Sequence, residues 1–190
     1  MSPAPRVGSL AQWAAGLGLV ALAWGVIAVT PGDDFADQPF VTQARIDEPA
    51  EGRNLRITVL DARRADHVSD ERGWSADGTW VLVSFEAEAL SSEKDSTLSR
   101  ALLRIGDRAY TVSDRPSVGA DARTHLAVGV PKLLTAAFEI LDEDADAQAT
   151  LELGFAKYDA RLDSEIRLAL DLAELDVDDT AEIPDGRWAE

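Results

Sequence analysis

Hydrophobic residues follow two rhythms along this chain. From Val7 to Thr30 they are almost continuous, and VGSLAQWAAGLGLVALAWGVIAVT contains no charged residue. As a helix, that stretch spans roughly 36 Å at ~1.5 Å per residue, enough to cross a hydrocarbon core of about 30 Å. Beyond Pro39 the rhythm changes to alternation, the period of half-buried strands. Phe40 to Ile46 predicts a short first strand, and Leu55, Ile57 and Val59 alternate with Arg56 and Thr58 to give a second. Thr79 to Leu90 is the clearest: Val81, Val83, Phe85 and Ala87 share one face, with Ser84, Glu86 and Glu88 on the other beside Trp80 and Leu82. Leu98 to Ile105 and Arg108 to Ser113 flank Gly106-Asp107, a two-residue hairpin signal suited to a type II′ turn.

Later strands are expected around Thr124 to Val130, stopped by Pro131, then at Leu133 to Leu141, Leu151 to Phe155 and Ile166 to Leu172. The alanines and leucines after Lys132 and after Ile166 also suit a helix, but strict alternation over Ile166 to Leu172 favours strand. His67 to Asp77 reads as a polar loop ending in the Asp77-Gly78 turn signal. Seven to nine short strands separated by turn signals argue for an all-β antiparallel sandwich preceded by one N-terminal transmembrane helix. The domain plan is then 1–6 cytoplasmic N-terminus, 7–30 transmembrane anchor, 31–39 linker and 40–172 β-sandwich. The remainder, 173–190, AELDVDDTAEIPDGRWAE, is acidic and aperiodic and is expected to be a disordered tail.

Charge sets the orientation of that plan. Arg6 is the only charge before the apolar run, while Asp33, Asp34 and Asp37 follow it. This favours a cytoplasmic N-terminus with the C-terminal domain extracytoplasmic. The rival reading is a secretory signal, cleaved to release the domain. The run from Trp13 to Val29 exceeds the usual apolar region of about 7–15 residues, and the best cleavage match, Val26-Ile27-Ala28, lies inside it. No cysteine is present, which excludes lipidated-Cys attachment, disulfides and thiol chemistry. Net charge is −17, and Arg6 aside, 17 basic residues face 35 acidic ones. So negative a surface repels nucleic acid and is compatible with cations or a basic partner.

GTWVLVSFEAEAL, LLRIGDRAYTVSDR, VGADARTHLAVGVP and TAAFEIL together resemble a family of bacterial extracytoplasmic immunoglobulin-like domains of unknown function. Their fold is similar to that of the secreted mycobacterial immunoprotective protein. Gly78, Trp80, Val81, Val83 and Phe85 match the family's central strand. Gly106 and Tyr110 match its later hairpin, and Phe138, Glu139 and Ile140 its closing strand. AEALSSEKDS stands where an Asn-rich turn is usual. The resemblance covers Val59 to Phe155 and implies an immunoglobulin-like sandwich behind a signal or anchor. It implies no catalytic residue.

Candidate chemistry is sparse. Asp142, Asp144 and Asp146 have the first three ligand spacings of a calcium loop. Ala147 then stands where glycine is needed and Leu153 where a bidentate Glu belongs, which excludes an EF-hand. A looser calcium site on these three carboxylates is the metal expectation; the rival is a solvated acidic turn. His67 and His125 lack a partner at local ligand spacing and read as surface histidines rather than zinc ligands. There is no Gly-x-Ser-x-Gly elbow, no Gly-x-Gly-x-x-Gly and no Walker A sequence. Trp74, in the loop before the central strand, and Trp188, in the tail, are the candidate partner-binding residues; Trp74 equally suits a lid over a sandwich end. The expected function is therefore non-enzymatic: a tethered interaction or accessory module for a membrane or envelope protein. The alternative is a small-ligand or calcium-binding domain at the cell surface.

Overall fold

A computed structural model describes residues 8–29, 39–94, 96–116, 119, 124–155 and 163–189. The expected N-terminus 1–6 and the linker residues 31–38 lie outside them. The chain divides into two units, Met1–Gln38 and Pro39–Glu190. The first holds helix α1, Ser9–Val29. Its window Ala11–Ala28 is long and apolar enough to cross a membrane, and none of that window is buried. Trp13, Leu17, Val20, Trp24 and Ile27 leave it apolar all round rather than amphipathic.

The second unit is a β-sandwich. Its strands are β1 Phe40–Gln43, β2 Pro49–Glu51, β3 Leu55–Asp70, β4 Ser75–Ala89, β5 Thr97–Leu98, β6 Arg100–Ile105 and β7 Arg108–Thr111. Then follow β8 Thr124–His125, β9 Lys132–Ile140, β10 Gln148–Gly154, β11 Ser164–Asp171, β12 Val177–Asp178, β13 Ala181–Ile183 and β14 Arg187–Trp188. One sheet has the order β1-β11-β10-β6-β7; the other runs β12-β3-β4-β9-β14, with β2 and β13 also on β3. β5 and β8 form a separate two-stranded piece.

The alternating residues fill the space between the sheets. Val81, Val83 and Phe85 of β4 meet Leu134, Ala136 and Phe138 of β9, and Leu103, Leu151, Leu153, Ile166 and Leu168 face them from the other sheet. The β6–β7 turn has Gly106 at φ 54, and Asp107 stays out of the positive-φ region, as a type II′ turn requires.

β3 and β4 are longer than their alternation predicts. The polar segment from His67 to Asp77 is strand on both sides of a turn at 71–74, with His67 opposite Asp77 and Ser69 opposite Ser75. Asp70 holds that turn by accepting from the Arg72 and Trp74 amides at 2.9 and 2.8 Å. Register shifts at Leu60 and Asp66 change parity, so Val59 and Ala62 both face the main core although three residues apart. The second shift likewise sets Ala65 and Val68 together in another cluster, on the outer side of this sheet.

The C-terminal segment completes that cluster and corrects the expectation of a disordered tail. Residues 177–188 form three short strands: β12 and β13 run parallel to β3, and β14 pairs antiparallel with β9. Ala181 and Ile183 are buried against Ala65, Val68, Trp80, Leu82 and Ala137. Leu172, at its root, is fully buried in the main core. The domain thus extends through residue 189, and its last segment straps the outer face of one sheet.

Candidate functional site

The strap and the surface beneath it bring aromatic, aliphatic and charged side chains together. Trp80 lies on the β4 face opposite Phe85 and is fully buried. Trp74 meets it edge to face, ring centroids 5.9 Å apart at 82°. The Arg115 guanidinium lies 5.5 Å from the Trp74 ring and 5.8 Å from the Trp80 ring, and it pairs with Glu139 at 2.5 Å. A cation over aromatic faces, itself charge-compensated, closes this end of the cluster. Trp74 is therefore half-buried against Trp80 and Arg115. Trp188 is different: it is 47% exposed on β14, where the Lys132 ammonium lies 5.1 Å from its ring.

Strap and sheet are joined by backbone and by charge. The Arg64 amide donates to the Asp176 carbonyl at 2.8 Å, and the Ala189 amide to the Pro131 carbonyl at 2.8 Å. Arg63 reaches Asp178 at 3.4 Å, and Arg72 reaches Asp185 at 3.0 Å. Gly119 makes the crossing possible. At φ 97 its Cα approaches so closely that a Cβ there would lie 2.7 Å from the Thr135 carbonyl and 3.1 Å from Ile183 Cγ2. No periodicity marks this arrangement. The sequence signals were short: the alternation Ala181-Glu182-Ile183 followed by Pro184-Asp185-Gly186.

The acidic turn is not assembled as a ligand set. Asp142 to Asp144 form a 3-10 turn after β9. Asp142 accepts from the Thr79 hydroxyl at 2.5 Å, and Asp146 pairs with Arg64 at 3.2 Å. Asp144 is buried, takes the Arg108 guanidinium on both oxygens at 2.8 Å, and accepts from the Tyr110 hydroxyl. The three carboxylates thus point to three different partners. Among the described residues no group of three or more His, Asp or Glu is placed to hold a metal ion. Tyr110 and Arg108 hold the Asp144 carboxyl below its ordinary range, against the opposing effect of burial. Burial, with the acceptor Asp144, pushes the Tyr110 hydroxyl up.

A second ionic cluster occupies the outer face of the other sheet. Glu152 of β10 is buried between Arg100 and Arg104 of β6, at 2.5 and 3.0 Å. Glu165 of β11 is buried beside Arg100 at 2.7 Å and Arg167 at 2.5 Å. Burial alone would push the Glu152 carboxyl up; hydrogen bonds from Arg104 and Arg100 outweigh it and hold the group low. Buried carboxylates paired with guanidinium groups on adjacent strands tie those strands together. The histidines stand apart: His67 contacts Asp77 at 2.7 Å and His125 contacts the Thr97 hydroxyl at 3.1 Å.

No protein-family model matches the sequence, and no curated protein matches it. Among solved structures the chain is similar to an uncharacterized beta-sandwich protein from Clostridium difficile, at 10% identity and a TM-score of 0.46. That likeness covers 75% of this chain and 100% of the other.

Proposed function

We propose that this protein is a membrane-tethered, non-enzymatic interaction module, an accessory to another membrane or envelope protein. The observation that carries the reading is α1: 21 residues, apolar on every side, ahead of a separate folded unit. Arg6 before the helix, with no Lys or Arg after it until Arg45, supports an N-in orientation with the sandwich outside. Tethering raises the effective concentration of the sandwich near membrane partners without any added contact.

We read the sandwich as immunoglobulin-like. Its strand order supports this, since β4 pairs with β9 while β6, β10 and β11 build the facing sheet. The chain changes sheets between β4 and β6, between β7 and β9, and between β9 and β10, a Greek-key pattern. The charged groups at the acidic turn and on the β6–β10–β11 face are matched to one another, which suits structural roles better than turnover.

In-cell crosslinking of the full chain, followed by identification of what is captured, tests the proposal. One membrane or envelope protein should be recovered. If recovery survives exchange of α1 for an unrelated anchor, recognition lies in the sandwich. Capture of nothing above background with either anchor would overturn the reading.

A further inference from the structure

We propose that the C-terminal strap is exchangeable, so that the surface filled by residues 177–189 of one copy takes the same segment of a second copy. The occupant is argued from the structure itself, because this chain's own segment already fits that surface. Ala181 and Ile183 seat among Ala65, Val68, Trp80, Leu82 and Ala137, and the flanking strands complete the open edges of β3 and β9.

Three features separate the strap from the body. Its ladders are two or three residues long, against thirteen register pairs between β3 and β4. Its side-chain ion pairs, Arg63–Asp178 and Arg72–Asp185, lie at the surface, where salt weakens them. Its buried side chains are Ala181 and Ile183, whereas Leu172, just before the hinge, is anchored in the main core. With Leu175 also packed against the main core, a hinge at Asp176 frees the fourteen residues 177–190, able to reach roughly 46 Å when extended.

Exchange between identical copies remakes every one of these contacts. The cost reduces to the hinge and to bringing two copies together, which is why swapping of terminal elements is a low-cost route to dimers. Free strand edges left by an open strap would be resealed by the incoming strands, leaving none exposed.

The chain has no cysteine, so paired thiols report the exchange directly. Ser69 and Glu182 face each other across the β3–β13 ladder. Full-length Ser69→Cys and Glu182→Cys copies carrying different tags are mixed in the same vesicles and oxidised. The expected result is a disulfide-linked heterodimer, several-fold more abundant than from Ser91→Cys mixed with Glu182→Cys, and increased by high salt. Yields equal to that mismatched pair, or none, would overturn the proposal. So would a Ser69→Cys/Glu182→Cys double variant that closes within one chain while the mixed single variants stay monomeric at every salt concentration.

Discussion

Two buried carboxylates and one glycine bear more on this domain than their polarity or size suggests. Asp144 is held low by Tyr110 and Arg108. Its folded pKa lies below the ordinary value of 3.8, so its stabilisation is complete above that value and disappears as pH falls through the folded pKa. Glu152 acts in the same direction from an ordinary value of 4.5. Acid titration of the melting temperature should show a decline below about pH 4, and Asp144→Asn should flatten it while lowering stability at neutral pH. An unchanged acid limb would remove Asp144 from the account. Glu152→Ala leaves Arg100 and Arg104 without their shared acceptor. A loss of about 3 kcal/mol in urea denaturation is expected, typical of breaking a buried pair by deleting one partner. Gly119→Ala places a Cβ against the Thr135 carbonyl at positive φ, and should cost about 1–3 kcal/mol by the same measurement.

Elements differ in how firmly they are held. β4 is paired along most of its length on both sides, by β3 and β9, and is buried on both faces around Trp80 to Val83. The strap rests on short ladders and two buried side chains. Native-state hydrogen exchange should therefore release the amides of β12 and β13 in a unit that opens before β4, with protection of β4 close to the global limit. Equal protection of both would make the strap part of the central cooperative unit. The outer half of the longest hairpin, β3–β4, shares a buried cluster with the strap, in which Ala65 and Val68 pack with Ala181 and Ile183.

At the scale of the molecule, an apolar helix and a folded β unit are joined in one chain. If α1 anchors the protein, the full chain should sediment with membranes, resist high salt and alkaline extraction, and be released by detergent. A chain beginning at Pro39 should be soluble and melt at the temperature of the full protein's β unit, since the main core is drawn from residues 44–172. Salt-released full-length protein would instead indicate attachment through charge, which the −17 balance opposes.

Features that depend on local period and local backbone geometry are legible in the chain's residues alone. Continuous apolarity marked α1, alternation marked β4, β6, β9, β10 and β11, and Gly106-Asp107 marked the turn between β6 and β7. These signals are readable because each strand carries its core face in its own residues. Partners distant in sequence are not encoded that way. Asp144 looked like one of three spaced ligands until Arg108 and Tyr110, more than thirty positions away, took its oxygens. His67 to Asp77 looked like a loop because the residues that bury its outer face come from the other end of the chain. The acidic segment after Leu172 looked disordered for the complementary reason. It buries Ala181 and Ile183, too few to form a periodic signal, and its structure comes from edges and a cluster that exist only after β3, β4 and β9 have assembled.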